Sequence, residues 1–216
     1  MPSPAEILRS KPVIWTFIVL PGLWPAWPLF VTQDATARTD PLKFILLHYG
    51  LTACLLLVSV LSFTPLRVLF PKWGVALALN RHRRLVGVSA FAYALLHFTV
   101  QVLYQYDGTY GGTVAQLATE IQKPFQLTGL ATLVILLVLS ITSLHALVRQ
   151  LGARNWKRLH RLAYIAAALA AWHQVSANKV FPPQVLWIFG PLIALEIARV
   201  WKQRAVASRP PFRRHA

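Results

Sequence analysis

Apolar residues run in six long stretches, separated by shorter polar or cationic segments. A membrane-crossing helix needs about 20 mostly apolar residues. Six stretches meet that condition: about 13–30, 43–63, 83–104, 125–148, 157–177 and 183–201. The fourth is the most continuous, with LATLVILLVLSI uninterrupted, and the first carries Pro21, Pro25 and Pro28. A membrane helix tolerates proline with a kink. The pattern predicts an all-α integral membrane protein, a single transmembrane domain over residues 1–216 with a basic tail over 205–216. Residues 1–37 also read as a signal peptide, with Ala35-Thr36-Ala37 as its cleavage site. That apolar stretch is longer and more proline-broken than a simple h-region, so a retained span is preferred. No Gly-rich loop follows a strand, which excludes dinucleotide binding by a Rossmann unit.

Composition sharpens this picture. The chain is 56% hydrophobic and 13% charged, yet its formal net charge is +16. Disorder needs low hydrophobicity, and nucleic-acid-binding chains are basic without being so apolar. Sorting the cations by loop resolves the tension. With six spans and both termini cytoplasmic, eighteen Lys and Arg fall on the N-terminus, the second and fourth loops and the tail. Only Arg38, Lys43, Lys123 and Lys179 fall outside, near Asp34, Asp40, Asp107 and Glu120. Cytoplasmic loops carry the excess of Lys and Arg in membrane proteins, so the charge reads mainly as topology. Cys54 is the sole cysteine, which excludes an internal disulfide and cysteine-ligated metal clusters. It reads as a small apolar residue in a helix.

Seven histidines in so apolar a chain carry the chemistry. Ionisable groups inside a bilayer are costly and by default functional. The topology sorts six of them into two layers: His48, His97 and His173 outside, His82, His145 and His160 inside. The seventh, His215, is in the tail. His82 and His97 stand about 22 Å apart along one helix, and His160 and His173 about 20 Å apart along another. A haem held between two helices needs one histidine from each at equal depth, and spans three and five supply such a pair in each layer. Rotation favours the outer pair. At about 100° per residue, His82 and His97 fall within ~60° of each other, but His160 and His173 differ by ~140°. Either the fifth helix is distorted, or His160 reaches from an irregular first turn. His82, within Arg-His-Arg-Arg, reads as a solvated or headgroup-facing residue. His48 and His145 read equally as ligands or as hydrogen-bonding residues between helices. Gly87, Ala90, Ala94, Ala163, Ala166, Ala167, Ala170 and Ala171 near these positions suit a flat cofactor or close helix packing.

Several stretches resemble a known family: SFTPLR (62–67), RRLVGVSAFAYALLHF (83–98), KPFQLTG (123–129), SITS (140–143) and LGARNWKRLHRLAYIAAALAAWH (151–173). They are similar to the MsrQ/YedZ family, the haem-binding membrane subunits of the periplasmic methionine-sulfoxide reductase system, over roughly residues 43–204. The block from Leu151 to His173 is the most specific. The resemblance implies a ferric-reductase-like haem-binding bundle in the bacterial inner membrane, with one or two b-type haems (heme b) and FMN. It implies an electron-transfer subunit rather than an enzyme. Electrons would come from the quinone pool or a cytosolic flavin reductase. They would go to a periplasmic molybdopterin methionine-sulfoxide reductase that repairs oxidised proteins. The family's histidines fall on His97, His160 and His173, with His48 near a less regular one. His82 and His145 stand where relatives carry other polar residues, which leaves the partner of His160 open. Arg83, Arg84, Arg154, Lys157 and Arg158 read as topology determinants or as receivers of a flavin phosphate or an acidic partner.

Two other readings compete. A metal or proton transporter lined with histidines would use carboxylates along its path, and Glu196 stands near the inner end of the sixth stretch. A membrane anchor with vestigial cofactor sites would keep the pattern without the colour.

Overall fold

The computed structural model describes residues 3–105, 119 and 122–208; Asp107, Glu120, His215 and tail residues 209–216 lie outside them. Every regular element among the described residues is helical. In chain order they are α1 (Pro4–Ile7), α2 (Lys11–Leu23), a π-helical turn (Trp27–Val31), α3 (Ala35–Thr39), α4 (Pro41–Leu69), α5 (Gly74–Arg81) and α6 (Arg83–Gln105). After these come α7 (Pro124–Ile141), α8 (His145–Leu159), α9 (Leu162–Ser176) and α10 (Gln184–Ala207).

Four helices, α4, α6, α7 and α10, are long and apolar enough to cross a membrane. Two expected spans are shorter, for reasons in the sequence. The stretch at 13–30 breaks after Leu23, where Pro25 and Pro28 remove backbone donors and the chain passes into the π-helical turn. The stretch at 157–177 is helical in α9 only from Leu162, about 22 Å of helix. The fourth stretch ends at Ile141 rather than at 148. Loops two and four, read as short, each contain a helix, α5 and α8.

Helix α8 exposes Arg149, Arg154, Lys157 and Arg158, while Trp156 is half-buried. It is kinked at Gly152, whose φ of 72° and ψ of 156° fall in a region essentially open only to glycine. A Cβ there would meet no neighbour within 4 Å, so the constraint is purely of the backbone. Gly152→Ala is expected to destabilise the fold by about 1–3 kcal/mol, read as a lower unfolding midpoint in detergent.

Packing pairs the helices. α4 lies mainly against α6, α7 mainly against α9, α10 along α4, and α6 meets α7. The principal core joins Leu57 and Leu61 of α4, Ala90 of α6, Leu136 of α7, Ala166, Ala167 and Ala170 of α9, and four apolar residues of α10. Alanines at the crossing let the backbones approach closely, which is how membrane helices gain packing energy. A second core joins Ile14 and Ile18 of α2 to Ala53, Phe63, Val86 and Tyr93.

Polar side chains tie off the helix ends. Asp40 caps α4 through the Lys43 amide (3.1 Å) and accepts from the Tyr104 hydroxyl of α6 (3.2 Å). At the opposite end of α4, the Lys202 ammonium donates to the carbonyls of Val68 (3.0 Å) and Leu69 (2.9 Å). A cation there satisfies orphan carbonyls at the negative end of the helix dipole. α1 packs on α5 in the connection that follows α4, so both ends of the described chain meet one end of the bundle.

Candidate functional site

The two helix pairs α4/α6 and α7/α9 bring one histidine each together. His97 of α6 and His173 of α9 stand with ring centroids 6.1 Å apart and planes crossed at 87°. Both rings are half-buried. Each is held by a backbone carbonyl of the companion helix in its pair. His97 Nδ1 bonds the Leu46 carbonyl of α4 at 2.9 Å. His173 Nδ1 bonds the Phe125 carbonyl of α7 at 2.6 Å. A carbonyl can only accept, so each Nδ1 carries a proton, and in the neutral ring Nε2 is left with its lone pair. Metal-binding histidines show this arrangement, with the other ring nitrogen donating to a carbonyl.

The separation would also suit one metal ion held between the two rings. A metal–nitrogen bond of about 2 Å on each side, plus half of each imidazole, spans about 6 Å, against the 6.1 Å observed. The donor set, two neutral imidazoles, is one that haem iron takes.

The other histidines divide by environment. His48 of α4 is not brought to this pair. Its Nε2 bonds the Pro21 carbonyl of α2 at 2.6 Å. The residue four positions after Pro21 is Pro25, which has no N–H to offer that carbonyl. His48 therefore supplies the missing donor, and the hydrogen-bonding reading of this residue fits the geometry. His48→Ala is expected to cost about 1–3 kcal/mol by orphaning the carbonyl, read as a lower thermal midpoint in detergent with α4, α6, α7 and α9 still assembled.

His160 stands in the turn between α8 and α9, outside α9, as its rotation relative to His173 required. It stacks on Trp156 with centroids 4.0 Å apart, and its Nε2 is 3.5 Å from the Thr142 hydroxyl. Trp156 in turn donates to the Thr142 carbonyl (3.1 Å) and lies under the Arg83 guanidinium, 5.4 Å from its ring centre. His145 is exposed in the first turn of α8 rather than inside a span. His82 corrects its expectation: it ends α5 at 7% exposure, and its Nε2 is buried with no hydrogen-bond partner among the described residues. His82 is the C-terminal cap of α5, a helix that the apolar pattern does not reveal.

The small residues resolve toward packing. Ala90, Ala166, Ala167 and Ala170 belong to the principal core. Cys54 accepts a hydrogen bond from the Gln174 amide at 2.9 Å. The sequence reading missed Leu46, Gly50, Phe125 and Gly129, whose backbones carry the two histidine seats. Two of these act through carbonyls, which any residue possesses, so no side-chain signal marks them.

The chain is similar to known proteins. The family model described as ferric reductase like transmembrane component matches residues 49–171. A curated protein of Brucella anthropi, protein-methionine-sulfoxide reductase heme-binding subunit MsrQ, is 34% identical over 203 residues, covering 93% of this chain and 87% of that one. No solved structure matches the chain.

Proposed function

This chain belongs to the MsrQ family, within the ferric reductase like transmembrane component family, and from that premise we propose that it is a b-type cytochrome carrying electrons across the bacterial inner membrane. The observation that supports it best is the crossed pair of neutral imidazoles, His97 and His173, at a separation one iron bridges. In this reading the two residues would hold the haem iron through Nε2. The Leu46 and Phe125 carbonyls hold the Nδ1 protons, fix the tautomers and raise the basicity of the ligating nitrogens. Haem held there would supply one-electron chemistry, with both histidines serving to bind it and neither offering substrate chemistry.

The chain then crosses the bilayer six times, through α2 with its π-helical turn, α4, α6, α7, α9 and α10, with both termini cytoplasmic. The loop cations and the shared location of both described chain ends support this arrangement. His160, with Trp156 and Arg83, lies toward the cytoplasmic end and serves an inner haem or the entry of electrons. Donors are the quinone pool or a cytosolic flavin reductase. FMN, where bound, meets Arg83, Arg84, Arg154, Lys157 and Arg158 through its phosphate. Electrons leave to a periplasmic molybdopterin methionine-sulfoxide reductase, which performs the catalysis. Against the transporter reading, no group of three or more His, Cys, Asp or Glu converges among the described residues.

The test is direct. The chain, made with ample haem and purified in mild detergent, should show the visible spectrum of a low-spin b-type cytochrome that sharpens on reduction. A colourless protein would overturn the proposal. Copurification of a molybdopterin protein from native membranes checks the partner, and its absence under cross-linking would argue for another acceptor.

A further inference from the structure

We infer that Gly50 and Gly129 are positioning residues that hold the two imidazole planes crossed. The inference rests on the reading of His97 and His173 as axial ligands, and it concerns what sets their orientation.

The two histidine seats are built alike on different helices. In α4, Leu46 offers the carbonyl and Gly50, four residues on, offers a bare backbone. In α7, Phe125 and Gly129 stand in the same relation. A Cβ at Gly50 would lie 2.8 Å from His97 Nδ1 and 2.9 Å from its Cε1. A Cβ at Gly129 would lie 2.9 Å from His173 Nδ1 and 2.8 Å from its Cε1. Contacts so short do not occur, so any side chain would push the Nδ1–Cε1 edge of the ring off the helix.

Neither glycine has a left-handed φ, and both sit in helices, where glycine is disfavoured by about 1 kcal/mol against Ala. Close approach of the imidazole is therefore the use each serves. The carbonyl fixes one ring nitrogen and the bare backbone fixes the edge beside it. Together they leave the ring little freedom to rotate about its bond to Cβ. Because α4 and α7 approach from different sides, the two seats fix the planes at 87° to one another.

Plane angle has a signature that depends on ligand orientation and not on fold. Crossed axial imidazoles leave two iron d orbitals nearly degenerate. The oxidised protein then gives a strongly anisotropic low-spin paramagnetic resonance signal with one large g value. Parallel planes give an ordinary rhombic signal.

The experiment records this resonance and the midpoint potential for the oxidised full chain and for Gly50→Ala, Gly129→Ala and Gly190→Ala. Gly190 of α10 is the control, because a Cβ there meets nothing within 4 Å. The large-g signal is expected in the parent and in Gly190→Ala. It should be lost in Gly50→Ala and Gly129→Ala, replaced by a rhombic or high-spin signal with a displaced potential. A rhombic signal in the parent would overturn the inference without any variant, which keeps the test decisive even where an alanine form fails to accumulate. Retention of the parent signal and potential in both alanine variants would overturn it as well. A haem-loaded parent with no bis-imidazole signal at all would instead overturn the ligation reading beneath it.

Discussion

Replacing either His97 or His173 by Ala should abolish the signal of one and the same haem, and the double replacement should remove no more than either single one. The two rings face each other across 6.1 Å from helices that belong to different pairs. A ligand pair of that kind acts as a unit, so the effects of its members do not add. Losing merely a hydrogen-bond partner of a metal ligand costs about 10–100-fold in metal affinity, and losing the ligand itself costs more. Haem per protein, measured on the reduced and oxidised forms in detergent, is the readout. His145→Ala, at an exposed position in α8, should leave it unchanged. If His97→Ala and His173→Ala each retained full haem, the pair would be no axial site. His160→Ala separates the inner question: unchanged haem content there would remove the inner haem from the proposal.

The second large effect is expected at Ala166→Leu. Ala166 has no exposed surface and sits in the core with Leu57 of α4, Leu136 of α7 and Ile188 of α10. Added methylenes in such a site cost about 1–3 kcal/mol through displaced helices and strained rotamers. Here the displacement has a further effect. His173 lies seven residues on, nearly two helical turns, and so on the same face of α9. Moving α9 away from α7 pulls His173 from the Phe125 carbonyl, a bond of 2.6 Å. The variant should therefore melt earlier and hold less haem. Ala168→Leu, two residues away but exposed, should do neither. Equal haem content in both variants would mean that packing at Ala166 does not position the site.

Depth was legible in the sequence because charge is. The loop cations sort the ends of the apolar stretches into two layers, and equal depth then picks out His97 and His173, whose rings stand 6.1 Å apart. Rotation was legible too, since 3.6 residues per turn set His160 off the face of His173, and the structure has it in a turn. Boundaries were less so. In SITSLHALVRQ the apolar letters continue past Ile141, and nothing in composition marks the turn that starts α8. Helix α5 is only eight residues and hides inside a loop rich in cations, which is why His82 read as solvated. The histidine seats were the least legible. They consist of carbonyls and of missing atoms, and the pairing of Gly50 with His97 is a relation between helices.

The carbonyls of α2 set the order in which the molecule can come together. Ile18, Pro21 and Gly22 receive hydrogen bonds from Tyr93 (2.6 Å), His48 (2.6 Å) and Tyr49 (3.3 Å), side chains of α6 and α4. In hydrocarbon, an unpaired carbonyl costs several kcal/mol. α2 leaves the ribosome before α4, yet its Pro21 carbonyl, which Pro25 leaves without a backbone donor, meets His48 only when α4 has arrived. The segment synthesised first is thus among the last to be locked.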